Sequence, residues 1–378
     1  MDIVCYSHLR WNFVYQRPQQ LLSRFARHFR VLFIEEPVFD AEKPYLDTQQ
    51  NTDKVWVIVP HLSSQTSPDA SIALQNDLLK DFFDYFKVAE FIAWYYTPMA
   101  SGLNPAFKPA LVIYDCMDEL SAFKNAPAEI THKENELMAR ADIVFTGGSS
   151  LYSSKKNKHS NIYLFPSSID QRHFEKARTL RVELSDQQDI PSPRIGFFGV
   201  IDERMDIDLL ASIAAEKPQW HFILIGPIVK IDSATLPVNA NIHYLGSKTY
   251  QELPFYISKW DVAMMPFAIN ESTKFISPTK TPEYLAAGKP VVSTPVPDVV
   301  SEYGDKGLVC IAGTANEFVV EIEKAMNIPD RVQWLKAVDT VLRQNSWDIT
   351  VEKMMFIINT ALDNKDSKTT VIKEDVYV

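Results

Sequence analysis

The run from Ile276 to Ser293 (I-S-P-T-K-T-P-E-Y-L-A-A-G-K-P-V-V-S) sets a lysine and a glutamate three residues apart. Pro282 suits the first turn of a helix, Gly288 suits a left-handed cap, and Val291-Val292 opens a buried strand, so the run reads as loop, short helix, turn and strand. A loop feeding a helix gathers free backbone N–H groups and partial positive charge at one point, which favours a phosphate or diphosphate. Lys280 adds a full charge beside it. Glu283, about one turn further on, faces the same cleft. A carboxylate repels phosphate but accepts hydrogen bonds from two neighbouring hydroxyls, as a ribose offers. Cation for diphosphate and anion for ribose together describe a nucleotide. The plainer alternative is a capped helix on a sheet with two surface charges.

The pattern Ser277-Pro278-x-Lys280-x-x-Glu283-Tyr284-Leu285-Ala286-x-Gly288-x-Pro290-Val291-Val292 resembles the donor-site segment of the GT-B nucleotide-sugar glycosyltransferases called glycosyl transferase group 1. The resemblance implies that Ser277, Thr279, Lys280, Thr281 and Glu283 hold the donor, with Glu283 on its ribose. It also implies a second glutamate eight positions earlier. Phe275 stands there, which leaves Asn270 or Glu271 as substitutes for the contact to the transferred sugar.

Such residues need elements to hold them. Short apolar runs at Ile3-Val4-Cys5-Tyr6, 30–34, 55–59, 91–96, 111–114 and 143–145 alternate with amphipathic helical patterns at 19–29 and 74–86. Strands apolar on both faces between such helices indicate a parallel sheet covered on both sides. Residues 175–193 lose periodicity and gain charge and proline, as a linker does. A second alternation follows, with strands at 194–200, 221–226, 241–246, 262–267, 290–294 and 308–311 and helices at 207–216, 250–260, 317–326 and 332–342. The chain is therefore an α/β protein. The resemblance implies GT-B, two Rossmann-like doubly wound domains facing across a cleft. Its expected parts are an acceptor-side domain at 1–185, a donor domain at 186–346, a helix at 347–364 crossing back to the first domain, and a flexible tail at 365–378.

Other loops at strand ends supply further candidates. Gly199 lies at the tip of the loop after strand 194–200, and the resemblance implies that it and Arg204 approach the diphosphate. Gly226 and Gly246 end strands where the family's nucleotide base lies. Ser7 to Gln19 follows the first strand and crowds polar and aromatic groups at the mouth of the cleft, so His8, Arg10, Gln16 and Arg17 are acceptor candidates. Tyr114-Asp115-Cys116-Met117-Asp118-Glu119 ends another strand with three carboxylates; Asp115 is taken as catalytic and Asp118 as acceptor-binding, an N-cap being the alternative for either. Gly147-Gly148-Ser149-Ser150 reads as a turn opening a helix. Over nearly the whole chain the pattern is similar to a subgroup of bacterial surface-polysaccharide transferases that includes teichuronic-acid-type proteins.

Composition removes several classes. A net charge of −10 and the lack of a basic domain argue against a nucleic-acid partner, although Lys155-Lys156-Asn157-Lys158 leaves an anion or membrane contact open. Eleven glycines in 378 residues, far below the ~7% typical of proteins, leave no Gly-x-Gly-x-x-Gly and no Gly-Lys-Ser/Thr loop. His-Glu-x-x-His and Cys-x-x-Cys are absent too, so no metal and no cofactor is expected. Three cysteines and the absence of any ~20-residue apolar run point to the cytoplasm, with a peripheral contact at the inner face of the membrane or with polysaccharide assembly proteins left open. The resemblance implies a hexosyltransferase acting on a nucleotide-diphosphate sugar and a carbohydrate or lipid-linked acceptor, with retention and without metal. Arg204, Lys280 and Asp115 are its catalytic candidates. A nucleotide-sugar 2-epimerase of the same fold and a noncatalytic sugar-binding subunit are the alternatives.

Overall fold

A computed structural model of the chain describes residues 1–103 and 107–374, with side chains up to residue 365. Among the described residues, fourteen strands form two sheets. The first holds β1 (Asp2–Ser7), β2 (Arg30–Glu35), β3 (Tyr45–Gln50), β4 (Val55–His61), β5 (Phe91–Tyr95), β6 (Leu111–Cys116), β7 (Ile143–Thr146) and β8 (Ile162–Leu164). Their spatial order is β3-β4-β2-β1-β5-β6-β7-β8, parallel except for the β3–β4 pair. The second holds β9 (Arg194–Phe198), β10 (His221–Ile225), β11 (Ile242–Tyr244), β12 (Val262–Met265), β13 (Val291–Ser293) and β14 (Cys310–Ile311), all parallel, in the order β11-β10-β9-β12-β13-β14. Each order reverses beside its first strand, at β1 and at β9. Open α/β sheets bind ligands outside the carboxyl ends of strands at such reversals.

The doubly apolar strands have a direct cause. Ile3 and Cys5 of β1 enter one core with Leu21, Leu22 and Phe25 of the Arg17–Phe25 helix, while Val4 and Tyr6 enter another with Leu79 and Phe83 of the Pro68–Phe86 helix. The second sheet is buried in a continuous core of its own. The C-terminal helix packs Trp347, Val351, Met354 and Ile358 into the first sheet's core, so it crosses back as expected. It runs Trp347–Glu374, past the boundary at 364, because no Gly or Pro interrupts it; residues 375–378 of the expected tail lie outside the described residues. Two elements escaped the periodicity reading. Strand β3 (Y-L-D-T-Q-Q) is a polar edge strand with mostly exposed side chains, and the Ile130–Arg140 helix buries only Ile130, Glu134, Leu137 and Met138.

Among the described residues, no helix is long and apolar enough to cross a membrane. Lys155, expected with Lys156 and Lys158 on the surface, is instead buried between Glu134 (2.7 Å) and Glu119 (2.8 Å). Burial of a full charge requires such partners, and the lysine ties the loop after β6, through Glu119, and the Ile130–Arg140 helix, through Glu134, to the helix that follows Gly148.

Candidate active site

Loops beyond the carboxyl ends of the strands meet in a cleft of about 100 Å³. From the first half come Gln16, Arg17, Met117, Asp118 and Ser167, and from the second Val200, Arg204, Ser277, Thr279 and Lys280. The two halves touch around it. Ser167 Oγ donates to the Ser277 carbonyl, Ser150 donates to the Asp298 carboxylate from both its N–H and its hydroxyl, and Gln20 donates to the Tyr250 hydroxyl (2.9 Å), whose ring stacks on Tyr15 at 4.4 Å.

Lys280 opens the seven-residue Lys280–Ala286 helix, with Thr279 as an N-cap whose side chain makes no capping bond. The ammonium has no hydrogen-bond or ion-pair partner among the described residues; it lies 5.6 Å from the centre of the Phe197 ring. Burial and the neighbouring Arg204 push it below its usual pKa, because both oppose a further positive charge. Two glycines make room for it. A β-carbon at Gly199 would lie 2.0 Å from Lys280 Cε, and one at Gly226 would lie 1.9 Å from the Gly199 carbonyl oxygen. Both have positive φ, +137° and +144°. Gly199→Ala is therefore expected to lower the melting temperature, by a strain of order 1–3 kcal/mol, and to displace Lys280, abolishing stabilisation by added nucleotide. Thermal melts with and without nucleotide check both effects.

Glu283 lies one turn below, 6% exposed, and does not line the cleft. Its carboxylate makes no hydrogen bond or ion pair among the described residues, and burial raises its pKa while Lys280 opposes the rise. Lysine and glutamate thus share one helix without pairing. Gly246, at φ +69°, has open space around it and accepts from the Gly226 N–H (2.9 Å).

Several expectations need correction. Asp115, taken as catalytic, is fully buried in β6 and gripped by Arg17, whose Nε and Nη2 donate to it at 2.9–3.2 Å; a carboxylate so enclosed cannot meet a substrate. It positions Arg17, which also donates to the Phe165 carbonyl at 2.8 Å and forms part of the cleft wall. Thr281 is fully buried with its hydroxyl on the Met265 sulfur (3.5 Å), because it sits on the core side of the helix. Arg10 leaves the cleft to pair with Glu35 (2.9 Å) and lines a different cavity. Neither substitute for the missing glutamate reaches the cleft wall: Asn270 caps its own turn through Ser272 and Thr273, and Glu271 is 76% exposed beside Lys274. Phe275 instead packs against the first sheet's core.

The remaining candidates gather. Arg204 lines the cleft, held by Asp202 at 2.6 Å and lying over the Phe123 ring. Gln16 lies on the wall, its N–H accepted by Gln19. His8 turns behind the wall; its Nδ1 is buried without a partner, and burial together with Lys230 pushes its pKa down to about 4, so the ring is neutral near pH 7. Asp118 has no hydrogen bond or ion pair to its carboxyl among the described residues. Burial raises it to about 6 against the opposing pull of Arg204, Arg17 and Lys280. Three contributors were not expected: Ser167, which bonds across to Ser277, and Phe123 with Lys230, the cation lying 5.4 Å from the ring centre on the opposite half. Nothing in their spacing marks them, since each meets its partner only through the packing of the two halves.

Two facing parallel sheets, a cleft at their carboxyl ends and a last helix returning to the first half define the GT-B architecture. Solved GT-B structures match it along almost the whole chain. Sucrose-phosphate synthase from Thermosynechococcus elongatus aligns with a TM-score of 0.70 at 13% identity, covering 96% of this chain and 99% of that one. Anabaena HepE, solved with UDP and glucose, aligns with a TM-score of 0.67 at 13% identity, covering 95% and 99%. Residues 192–327 match the family model of glycosyl transferases group 1. TuaH of Bacillus subtilis strain 168, a glycosyltransferase assigned to teichuronic acid biosynthesis, is 24% identical over 287 residues, 69% of this chain and 70% of that protein. The chain has the GT-B fold, and its second half is similar to the glycosyl transferases group 1, as its donor-segment motif implied.

Proposed function

We propose that this enzyme moves a sugar from a nucleotide-diphosphate sugar to a hydroxyl of a carbohydrate or lipid-linked acceptor in bacterial polysaccharide or glycolipid synthesis. The observation that carries the reading is the convergence of Arg17, Arg204 and Lys280 on one small cleft that holds a single unpaired carboxyl group, Asp118. Lys280 and Arg204 take the diphosphate. They meet the charge that develops on the departing phosphate from fixed positions, in a site where water is scarce. Burial and Arg204 hold Lys280 below its usual pKa, and an arriving diphosphate raises it again and so favours its charged form. Glu283, one turn beneath Lys280 and without a hydrogen-bond partner among the described residues, accepts from the ribose hydroxyls only where the bound nucleotide reaches past the cleft wall, and Gln16 and Asp118 orient the acceptor.

The bond from the sugar's anomeric carbon to the phosphate oxygen breaks as the bond to the acceptor oxygen forms. The acceptor's proton passes to the departing phosphate, giving retention without a side-chain base. Lys280 and Arg204 carry the load that a divalent metal carries in other transferases. Transfer is therefore expected to be unchanged by EDTA, measured with radiolabelled donor.

The primary test is thermal stability against UDP-, GDP- and dTDP-sugars, followed by radiolabelled transfer with the nucleotide that stabilises. Stabilisation by none of them contradicts the donor assignment. A pH profile tests Asp118. Burial disfavours its ionised form, so the folded protein keeps this proton up to about pH 6. If the carboxylate is what binds the acceptor, kcat/KM falls about tenfold per pH unit below that value. Asp118→Asn removes this acid limb and stabilises the fold slightly above pH 6; an unchanged limb shows that another group titrates.

A further inference from the structure

A second cavity, of about 380 Å³, lies on the first sheet away from the cleft, within the size range of small-molecule sites. Strand β3 makes it. In its antiparallel register with β4, Asp47 lies opposite Val59 and Gln49 opposite Val57, so these four share one sheet face. The two valines supply an apolar floor and the two polar side chains rise at its edge. Over it hangs the loop after β1, presenting Asn12 and the half-exposed ring of Phe13.

The polar lining is unspent. Among the described residues, the side chains of Asn12, Asp47 and Gln49 make no hydrogen bond to the protein. Arg10 and Glu35 close the remaining wall and neutralise each other at 2.9 Å. An exposed aromatic ring over an apolar floor, rimmed by free amides and a carboxylate, matches a pyranose: the apolar sugar face meets ring and valines, and the hydroxyls meet Asn12, Asp47 and Gln49. The one uncompensated charge is Asp47, which selects against acidic sugars. Asn12 and Gln16 are four residues apart, so at most about 14 Å of chain separates this cavity from the cleft wall.

We propose that this cavity is a second carbohydrate subsite, which holds a neutral or N-acetylated sugar further along the acceptor whose reacting hydroxyl lies in the cleft. This rests on the acceptor reading above and adds to it the acceptor's chemistry and its length. It also accounts for Arg10, which sequence assigned to the acceptor and the fold removed from the cleft.

The test titrates the full-length protein with neutral, N-acetylated and uronic oligosaccharides, read by saturation-transfer NMR, for the parent and for Phe13→Ala, Gln49→Ala and Lys280→Ala. Nucleotide binding to the parent and to Lys280→Ala is measured alongside. A neutral or N-acetylated oligosaccharide is expected to bind, with affinity about tenfold weaker in Phe13→Ala and Gln49→Ala and unchanged in Lys280→Ala. Both substituted side chains are at least half exposed or on the edge strand, so melts should match the parent. Binding of no oligosaccharide, preference for the uronic series, or affinity that ignores Phe13 and Gln49 overturns the subsite. Loss of nucleotide binding in the parent, with Phe13-dependent sugar binding intact, sinks the donor assignment and leaves the subsite standing.

Discussion

Lys280→Ala is expected to lower kcat by about 10²–10³-fold, the range seen when one preorganised group that stabilises developing charge is removed, while the melting temperature stays near that of the parent. The side chain has no ion-pair or hydrogen-bond partner among the described residues, so its removal breaks no direct bond. Stability and turnover should therefore separate at this residue. Lys280→Arg is expected to rescue little, because the Gly199–Gly226 stack leaves no volume for a guanidinium. Glu283→Ala should act differently. It weakens donor binding, read as a higher KM, and it stabilises the unliganded fold, since burial holds that carboxyl above its usual pKa. Wild-type turnover in Lys280→Ala would remove the cation from the mechanism.

Asp115→Ala is expected to cost about 3–5 kcal/mol of stability, the penalty for leaving one member of a buried ion pair alone. Arg17 is 3% exposed and spends its Nε and Nη2 donors on Asp115. The expected effect is a loss of folded protein, visible in a denaturant melt, rather than a defect confined to kcat. The double variant Arg17→Met/Asp115→Leu separates the two roles. Removing both charges should restore much of the stability, and activity should stay low because Arg17 is part of the cleft wall. If Asp115→Ala keeps the parent's stability and loses only kcat, Asp115 acts on substrate and the buried-pair account is wrong.

Much of this molecule is legible in one dimension. Continuous apolar strands with amphipathic helices between them suffice for two open parallel sheets, because a strand buried on both faces has to be apolar at every position. Glycines at strand ends and a lysine at a helix start are legible for a similar reason, since local backbone geometry restricts which residue can stand there. Strand β3 was not legible. A polar edge strand owes its existence to the neighbour it pairs with, and neither alternation nor apolarity marks it.

The site divides along the same line. Sequence alone determined the chemical kinds present, cations and carboxylates at the carboxyl ends of strands, and through its motif a resemblance to one family. Only tertiary structure decided which of them meet. Asp115 and Asp118 are three residues apart, yet one is spent on Arg17 and the other is left free, because a strand sends one inward and the loop after it turns the other out. Arg10 and Arg17 are seven residues apart, yet Glu35 draws the first to a second cavity while Asp115 holds the second in the cleft wall. A side chain's type is written locally, but its partner comes from a distant part of the chain, and burial leaves a charge where it is only when that partner arrives.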